Sequence, residues 1–374
     1  MIERKLENVI IDRMFKRKVI IVLGARQVGK TTLLKSIVRK TGIEYIWLDG
    51  DEPDVRSMLS NASSTKLKKI IGKYKLVVID EAQRINNIGL SAKLIVDNFK
   101  DIQVLLSGSS ALDIANELKE PLTGRKYEYT LFPISFDEMI GHSSLIEETR
   151  LLENRLIYGS YPDVILSNSN EIEILGQLTT SYLYKDIFSY NLIKKPTILE
   201  KLLQALALQI GNEVSFNEIG QLIGLDPTTV ERYVDLLEKA YVVFRLNSLS
   251  RNMRNEIKKG KKIYFYDLGI RNAIIKSFSS LELRVDKGAL WENYLISERM
   301  KYNHYNIKYL NMYFWRTHSQ QEIDYIEEEG EQLSAYEFKW NPRKKAKFSK
   351  SFLKAYKNSN LRNINIDNYF EFIS

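Results

Sequence analysis

The chain has no cysteine, which rules out disulfides, thiolate nucleophiles and cysteine-ligated zinc. Histidine is scarce. His142, His304 and His318 stand far apart and form no ligand-spaced pair, so any bound metal should be a hard, oxygen-ligated ion such as Mg2+. No apolar run approaches the ~20 residues that a membrane span needs. The opening stretch MIERKLENVIIDRMFKRK is charged throughout and lacks the apolar core of a secretory signal. These absences predict a cytoplasmic protein with no membrane partner. Against them, 44% of the residues are hydrophobic and 27% charged. At ~100–200 residues per domain, 374 residues make two or three domains, each able to bury a core. The net charge of +8 favours acidic partners such as nucleic acid.

The most informative stretch is KVIIVLGARQVGKTTLLKSIV. Val19 to Leu23 is a short β-branched run that reads as a buried parallel strand. Gly24, Ala25, Arg26, Gln27, Val28, Gly29, Lys30 and Thr31 follow with G-x-x-x-x-G-K-T spacing, and a helical pattern runs on from Thr32. Glycines let the loop curl until its N–H groups face one point, and the helix N-terminus adds partial positive charge there. Lys30 is placed to reach the β- and γ-phosphates of a nucleotide, and the Thr31 hydroxyl to bind Mg2+. KLVVIDEAQRI then gives a strand that ends in Asp80 and Glu81, at the strand end where open α/β sheets bind ligands. Asp80 is the second candidate Mg2+ ligand, and Glu81 the candidate base for the attacking water. In IQVLLSGSS, Ser107 or Ser109 could sense the γ-phosphate, or both could be turn residues.

GARQVGKTTLL, VVIDEAQRI, VLLSGSSAL, LTGRKYEYTLFPISFDE and YGSYPDVI, in that order, resemble the blocks of AAA-type ATPases that precede a DUF4143 domain. The segment from YLYKDIFSYNLIKKP to AYEFKW resembles DUF4143 itself, so the likeness spans nearly the whole chain. The resemblance implies ATP rather than GTP, since the P-loop reads only phosphates. It also implies that an arginine completes the site, either from a neighbouring subunit of a homo-oligomer or as a sensor in cis. Arg125 is the candidate and Arg84 a lesser one; Arg125 could equally fix its loop against a carboxylate.

From Pro196 the pattern is helical. SFNEIGQLIGL reads as a short helix closed by Gly224, Asp226-Pro227 starts a second, and two strands with a basic loop follow. That is a winged helix-turn-helix layout. Asp226, Glu231, Asp235 and Glu238 make the second helix acidic, so DNA contact would fall to a basic wing of Arg251, Arg254, Lys258, Lys259, Lys261 and Lys262. A protein-binding module is the alternative.

Near the end, EIDYIEEEGEQLSAYEFKW reads as a hairpin. Asp324 lies on one strand, and Glu337 and Lys339 share a face of the next. With Glu292 from the preceding helix, they resemble the PD-(D/E)XK nuclease fold, in which carboxylates hold Mg2+ and a lysine positions the water. The alternative is a solvated edge hairpin.

The expected fold is α/β. A P-loop ATPase core spans 1–140, a helical connector 141–195, a winged-helix-like α+β module 196–275 and a nuclease-like α/β domain 276–374. The expected function is Mg2+-dependent ATP hydrolysis coupled to a DNA-associated module. The alternative is a slow ATP-gated interaction switch whose C-terminal domain is inert.

Overall fold

Three unbroken apolar runs at the front of the chain become the central strands of one parallel sheet. The computed structural model describes residues 2–109, 121–167, 169–183, 196–249, 260–317, 319–344 and 346–374. The chain divides into two compact units. Unit 1 is Met1–Ile134 with Lys239–Tyr241, and unit 2 is Ser135–Glu238 with Val242–Ser374.

Unit 1 runs α1 (Lys5–Arg13), β1 (Val19–Leu23), α2 (Lys30–Thr41), β2 (Tyr45–Asp49), α3 (Pro53–Leu59), α4 (Ser64–Ile71), β3 (Leu76–Asp80), α5 (Ile88–Asn98), β4 (Gln103–Gly108) and β5 (Lys126–Thr130). The five strands are all parallel, in the order β2-β3-β4-β1-β5. Every residue of β1, β3 and β4 is buried, as continuous hydrophobic runs in a sheet covered on both faces require. The edge strands β2 and β5 carry the half-exposed residues. Side chains from one face of the sheet, among them Ile21, Ile79 and Leu106, pack with Leu67 and Ile95 of the covering helices into one apolar core.

Unit 2 begins with α6 (Phe136–His142), α7 (Leu145–Arg150), α8 (Leu152–Tyr158), α9 (Pro162–Ile165) and α10 (Glu171–Gln177). Then come α11 (Pro196–Leu208), β6 (Glu213–Val214), α12 (Phe216–Ile223), α13 (Pro227–Lys239), β7 (Val243–Ser248), β8 (Lys261–Phe265) and α14 (Leu268–Ile274). It ends with α15 (Lys287–Tyr305), β9 (Asn311–Arg316), β10 (Glu322–Glu329), β11 (Gln332–Phe338), α16 (Lys350–Ala355), β12 (Ser359–Ile364) and α17 (Phe370–Ile373). The helix signals hold locally. Gly224 closes α12 at φ +74°, and Asp226 accepts the Thr229 N–H at 2.9 Å.

The seven strands of unit 2 form one mixed sheet, β12-β11-β10-β9-β7-β8-β6. The expected boundary near 275 therefore falls inside a sheet, because β7 pairs in parallel with β9 through Asn247–Tyr313 and Ser248–Phe314. Nor are β10 and β11 a solvated edge hairpin. Strands flank them on both sides, and Tyr336, Phe338 and Tyr325 stack around Phe372 on one face.

Two sequence blocks far apart in the chain meet at Asp267. It accepts the Ser160 N–H at 2.7 Å and the Ile270 N–H at 3.1 Å, capping α14. Gly159 sits at φ +73°, and a Cβ there would come within 2.2 Å of the Asp267 carboxylate. Gly159→Ala should therefore cost about 2–4 kcal/mol, from the left-handed backbone and a displaced buried acceptor. Urea unfolding should read that loss; a variant within error of the parent would refute it.

Candidate nucleotide site and acidic cluster

The loop between β1 and α2 is built on a close approach. Gly24 has φ +152°, and a Cβ there would lie 2.2 Å from the Leu131 carbonyl oxygen, so only glycine fits. Gln27 (φ +60°) and Gly29 (φ +95°) turn the loop so that it opens into the N-terminus of α2. Val28 is wholly buried and anchors the loop in the core. The Lys30 ammonium is buried and donates to the carbonyls of Gly24 (2.9 Å) and Ala25 (2.8 Å). Thr31 and Thr32 open the helix, and the Thr31 hydroxyl donates to Asp80 Oδ2 at 2.7 Å. Ser107 Oγ donates to Asp80 Oδ1 and accepts the Glu81 N–H at 3.2 Å. Strands β1, β3 and β4 thus bring Lys30, Thr31, Asp80, Glu81 and Ser107 together at their C-terminal ends.

The hard oxygens of Thr31 and Asp80 lie side by side. They suit Mg2+, which takes one or two protein oxygens and completes its shell with phosphate and water. Glu81 has a left-handed backbone, φ +49°. That turn is packed against Gly50, whose Cβ, if present, would meet the Glu81 carbonyl at 2.4 Å. The Glu81 carboxylate accepts from Gln83 Nε2 at 2.5 Å, which also donates to Ser109 Oγ at 2.9 Å.

Two neighbours of the site are not legible in the sequence. Gln83 is one. The other is Arg4, whose guanidinium is buried and donates to the carbonyls of Val28 and Phe132, both at 2.7 Å. Arg4 clamps the loop across a long stretch of chain, and no motif marks it.

Arg125 is a correction. Its backbone carbonyl accepts the Val19 N–H at 2.9 Å, so it lies at the start of β1 while the loop follows the end. Four residues of strand separate them by roughly 13 Å. Its side chain pairs with Asp97 at 2.7 Å on the surface, so Arg125 fixes its own loop and is no sensor in cis. Arg84 pairs with Asp51 at 3.3 Å, also exposed.

In unit 2, Glu292 from α15, Asp324 from β10, and Glu337 and Lys339 at the end of β11 do converge. Tyr325 faces Tyr336 in the β10–β11 register, which sets Asp324 opposite Glu337. Lys339 Nζ lies 2.7 Å from Glu337 Oε2 and 3.7 Å from Asp324 Oδ2, and Asp324 Oδ2 accepts the Phe338 N–H at 2.7 Å. Among the described residues, no group of three or more histidine, aspartate or glutamate side chains is arranged to hold a metal.

A residue expected elsewhere accounts for this. Lys262 was placed in the basic wing, yet it is wholly buried. Its ammonium lies 2.8 Å from Glu292 Oε1 and is also paired with Glu322. Tyr264, on the same face of β8, donates to Glu292 Oε1 at 2.5 Å. Lys261 pairs with Glu231 at 2.7 Å, and Arg245 pairs with Asp235 and Glu238, so strand cations offset the acidic face of α13. Arg251, Arg254, Lys258 and Lys259 lie outside the described residues.

Residues 16–140 match the family described as AAA domain, and residues 287–367 match the domain of unknown function DUF4143. This chain is an AAA-domain protein with a C-terminal DUF4143 domain. Residues 149–281, between the two, match another domain of unknown function, DUF8612. An uncharacterized protein of Mycobacterium tuberculosis is 26% identical over 324 residues, covering 85% of this chain and 69% of that protein. One of Methanocaldococcus jannaschii is 24% identical over 376 residues, covering 95% and 82%. Among solved structures, the Thermotoga maritima RuvB Holliday junction branch migration motor aligns with 70% of this chain and 92% of its own, at 14% identity and a TM-score of 0.35. A score this low bears on neither unit's activity. Among the described residues, no helix is long and apolar enough to cross a membrane.

The DUF4143 domain supplies Glu292, Asp324, Glu337 and Lys339, while Lys262 and Tyr264 come from the DUF8612 segment before it. Burial raises the pKa of Glu292 and Glu337. Burial, with the Glu337 carboxylate opposite, pushes Asp324 up to about 6. Burial pulls Lys262 down, but Glu292 and Glu322 outweigh it and hold the ammonium above its ordinary value. Between about pH 4 and pH 6, folded Asp324 keeps a proton that the unfolded chain has released. Its contribution to stability is therefore complete below that window and is lost as pH rises through it, by up to about 3 kcal/mol. Asp324→Asn mimics the protonated form and should remove this slope from urea unfolding measured across the window. An unchanged slope would refute the assignment.

Proposed function

We propose that the AAA domain binds Mg2+–ATP and hydrolyses it, and that turnover acts on a DNA-associated second unit. The observation that carries this reading is the 2.7 Å contact of Thr31 with Asp80, beside a buried lysine that donates to carbonyls of its own loop. Phosphate oxygens are stronger acceptors than carbonyls, so Lys30 transfers to the β- and γ-phosphates when nucleotide enters. The backbone amides from Gly24 to Thr32 would face those phosphates, and Thr31 and Asp80 would hold the Mg2+ that offsets their charge. Ser107, which donates to Asp80 Oδ1, would hold that carboxylate in place. Glu81 takes the proton of the attacking water, and Gln83 and Ser109 set its carboxylate. The preference for adenine rests on the family.

The order α11-β6-α12-α13-β7-β8 supports a winged-helix reading of the middle segment, and the sequence of Glu292, Asp324 and Glu337-x-Lys339 supports a nuclease-like fold for the last. Net charge favours DNA as the partner. A second reading, an ATP-gated protein-interaction switch, is favoured by α13. Its acids are paired with Lys261 and Arg245, so helix and strands satisfy each other rather than presenting cations to phosphate.

Glu81→Gln should keep nucleotide affinity and lose turnover by about 10²–10⁴-fold. Lys30→Ala should lose binding itself. Phosphate release and titration of a fluorescent ATP analogue separate the two. Turnover of Glu81→Gln equal to the parent's would overturn the assignment, and a parent that binds ATP but releases no phosphate would establish the switch.

A further inference from the structure

We propose that the Lys262 ammonium occupies the position a divalent cation would take in unit 2, so that the chain's own side chain closes the acidic cluster and no Mg2+ binds there. The inference rests on the nuclease-like reading only for where the cation would sit.

Four carboxylates face one another: Glu292 on α15, Glu322 and Asp324 on β10, and Glu337 on β11. Left bare, they would repel strongly at this depth. Two lysines divide them. Lys262 bridges Glu292 and Glu322, and Lys339 bridges Asp324 and Glu337. Each carboxylate therefore already has an ammonium partner, and Glu292 Oε1 also takes the Tyr264 hydroxyl. A divalent ion such as Mg2+ would need free lone pairs of one or two such groups aimed at one point about 2.0–2.1 Å away.

The surroundings fix Lys262 in this role. The Phe314 ring of β9 lies 5.4 Å from Nζ and covers it from water. Arg316, the other cation on that strand, approaches Glu322 at 3.9 Å and Glu213 at 3.5 Å, leaving Lys262 as the near cation of the pair with Glu292. Retracting the lysine would strand a buried ammonium and leave two half-buried carboxylates without their partner, so it does not act as a gate. An ammonium donates three hydrogen bonds but cannot polarise a bound water as a divalent ion does. Unit 2 keeps the carboxylate framework of a metal-dependent nuclease and is held together by it, without the ion that would supply the chemistry.

The test is Mn2+ binding to the nucleotide-free full-length chain, read by the loss of the free-ion electron paramagnetic resonance signal and by thermal melting. Ion bound near the P-loop is common to all variants and cancels. The parent, Lys262→Arg and Asp324→Asn should give the same isotherm, and Mn2+ should not shift the parent's melting point through the cluster. Lys262→Ala should melt lower, gain one Mn2+ and recover part of its melting temperature with the ion. Adding Glu292→Gln should abolish that gain. One Mn2+ bound per parent chain and lost in Asp324→Asn would overturn the inference and leave the nuclease-like reading standing. A folded Lys262→Ala that takes no ion would overturn both. If Lys262→Ala does not fold, the comparison of parent, Lys262→Arg and Asp324→Asn decides the question. The ATPase reading, tested at Glu81, is untouched by any of these results.

Discussion

An ammonium group withdrawn from water must find oxygen acceptors within hydrogen-bond reach. Each unit of this chain is organised around one. In unit 1, Lys30 is met by two carbonyls of its own loop. Those neutral acceptors can give way to phosphate oxygens, which bind an ammonium more strongly. In unit 2, Lys262 is met by two carboxylates. Those full charges cannot be left behind, so the arrangement is permanent. The same residue type serves in one place as a waiting ligand hand and in the other as a structural pin, and the formal charge of its acceptors decides which.

What was legible in the sequence was local. The P-loop, the strand ending in Asp80 and Glu81, the caps at Gly224 and Asp226 and the spacing of Glu337 and Lys339 all follow from neighbouring residues and the periods of helix and strand. What was not legible depends on partners far along the chain. Arg4 reaches Phe132, and Asp267 reaches Ser160. Arg125 stands in a family block, but strand register puts it at the start of β1, away from the loop that a sensor in cis would have to reach.

Lys262 shows the limit most clearly. It belongs to the run KKGKKIYFYD, which by composition reads as an exposed basic loop. Lys262, Ile263, Tyr264 and Phe265 are all buried, because β8 has strands on both sides and is covered on both faces. A strand buried on two faces carries no alternation to say which way a lysine points. The glutamates that neutralise it lie on α15 and β10, in a different family segment. The hairpin acids were read as converging on a metal, and the lysine that meets Glu292 and Glu322 was hidden in that basic run.

The parallel pairing of β7 with β9 has a consequence for inheritance. A segment beginning at Lys287 would carry Glu292, Glu322, Asp324 and Glu337 but leave Lys262 behind, and it would bare the edge of β9 that β7 covers. It would start life with surplus negative charge in its interior and an unzipped flank prone to sticking to other chains. Recombination between unrelated genes at that seam would thus be selected against, and the two segments are expected to be passed on as one block.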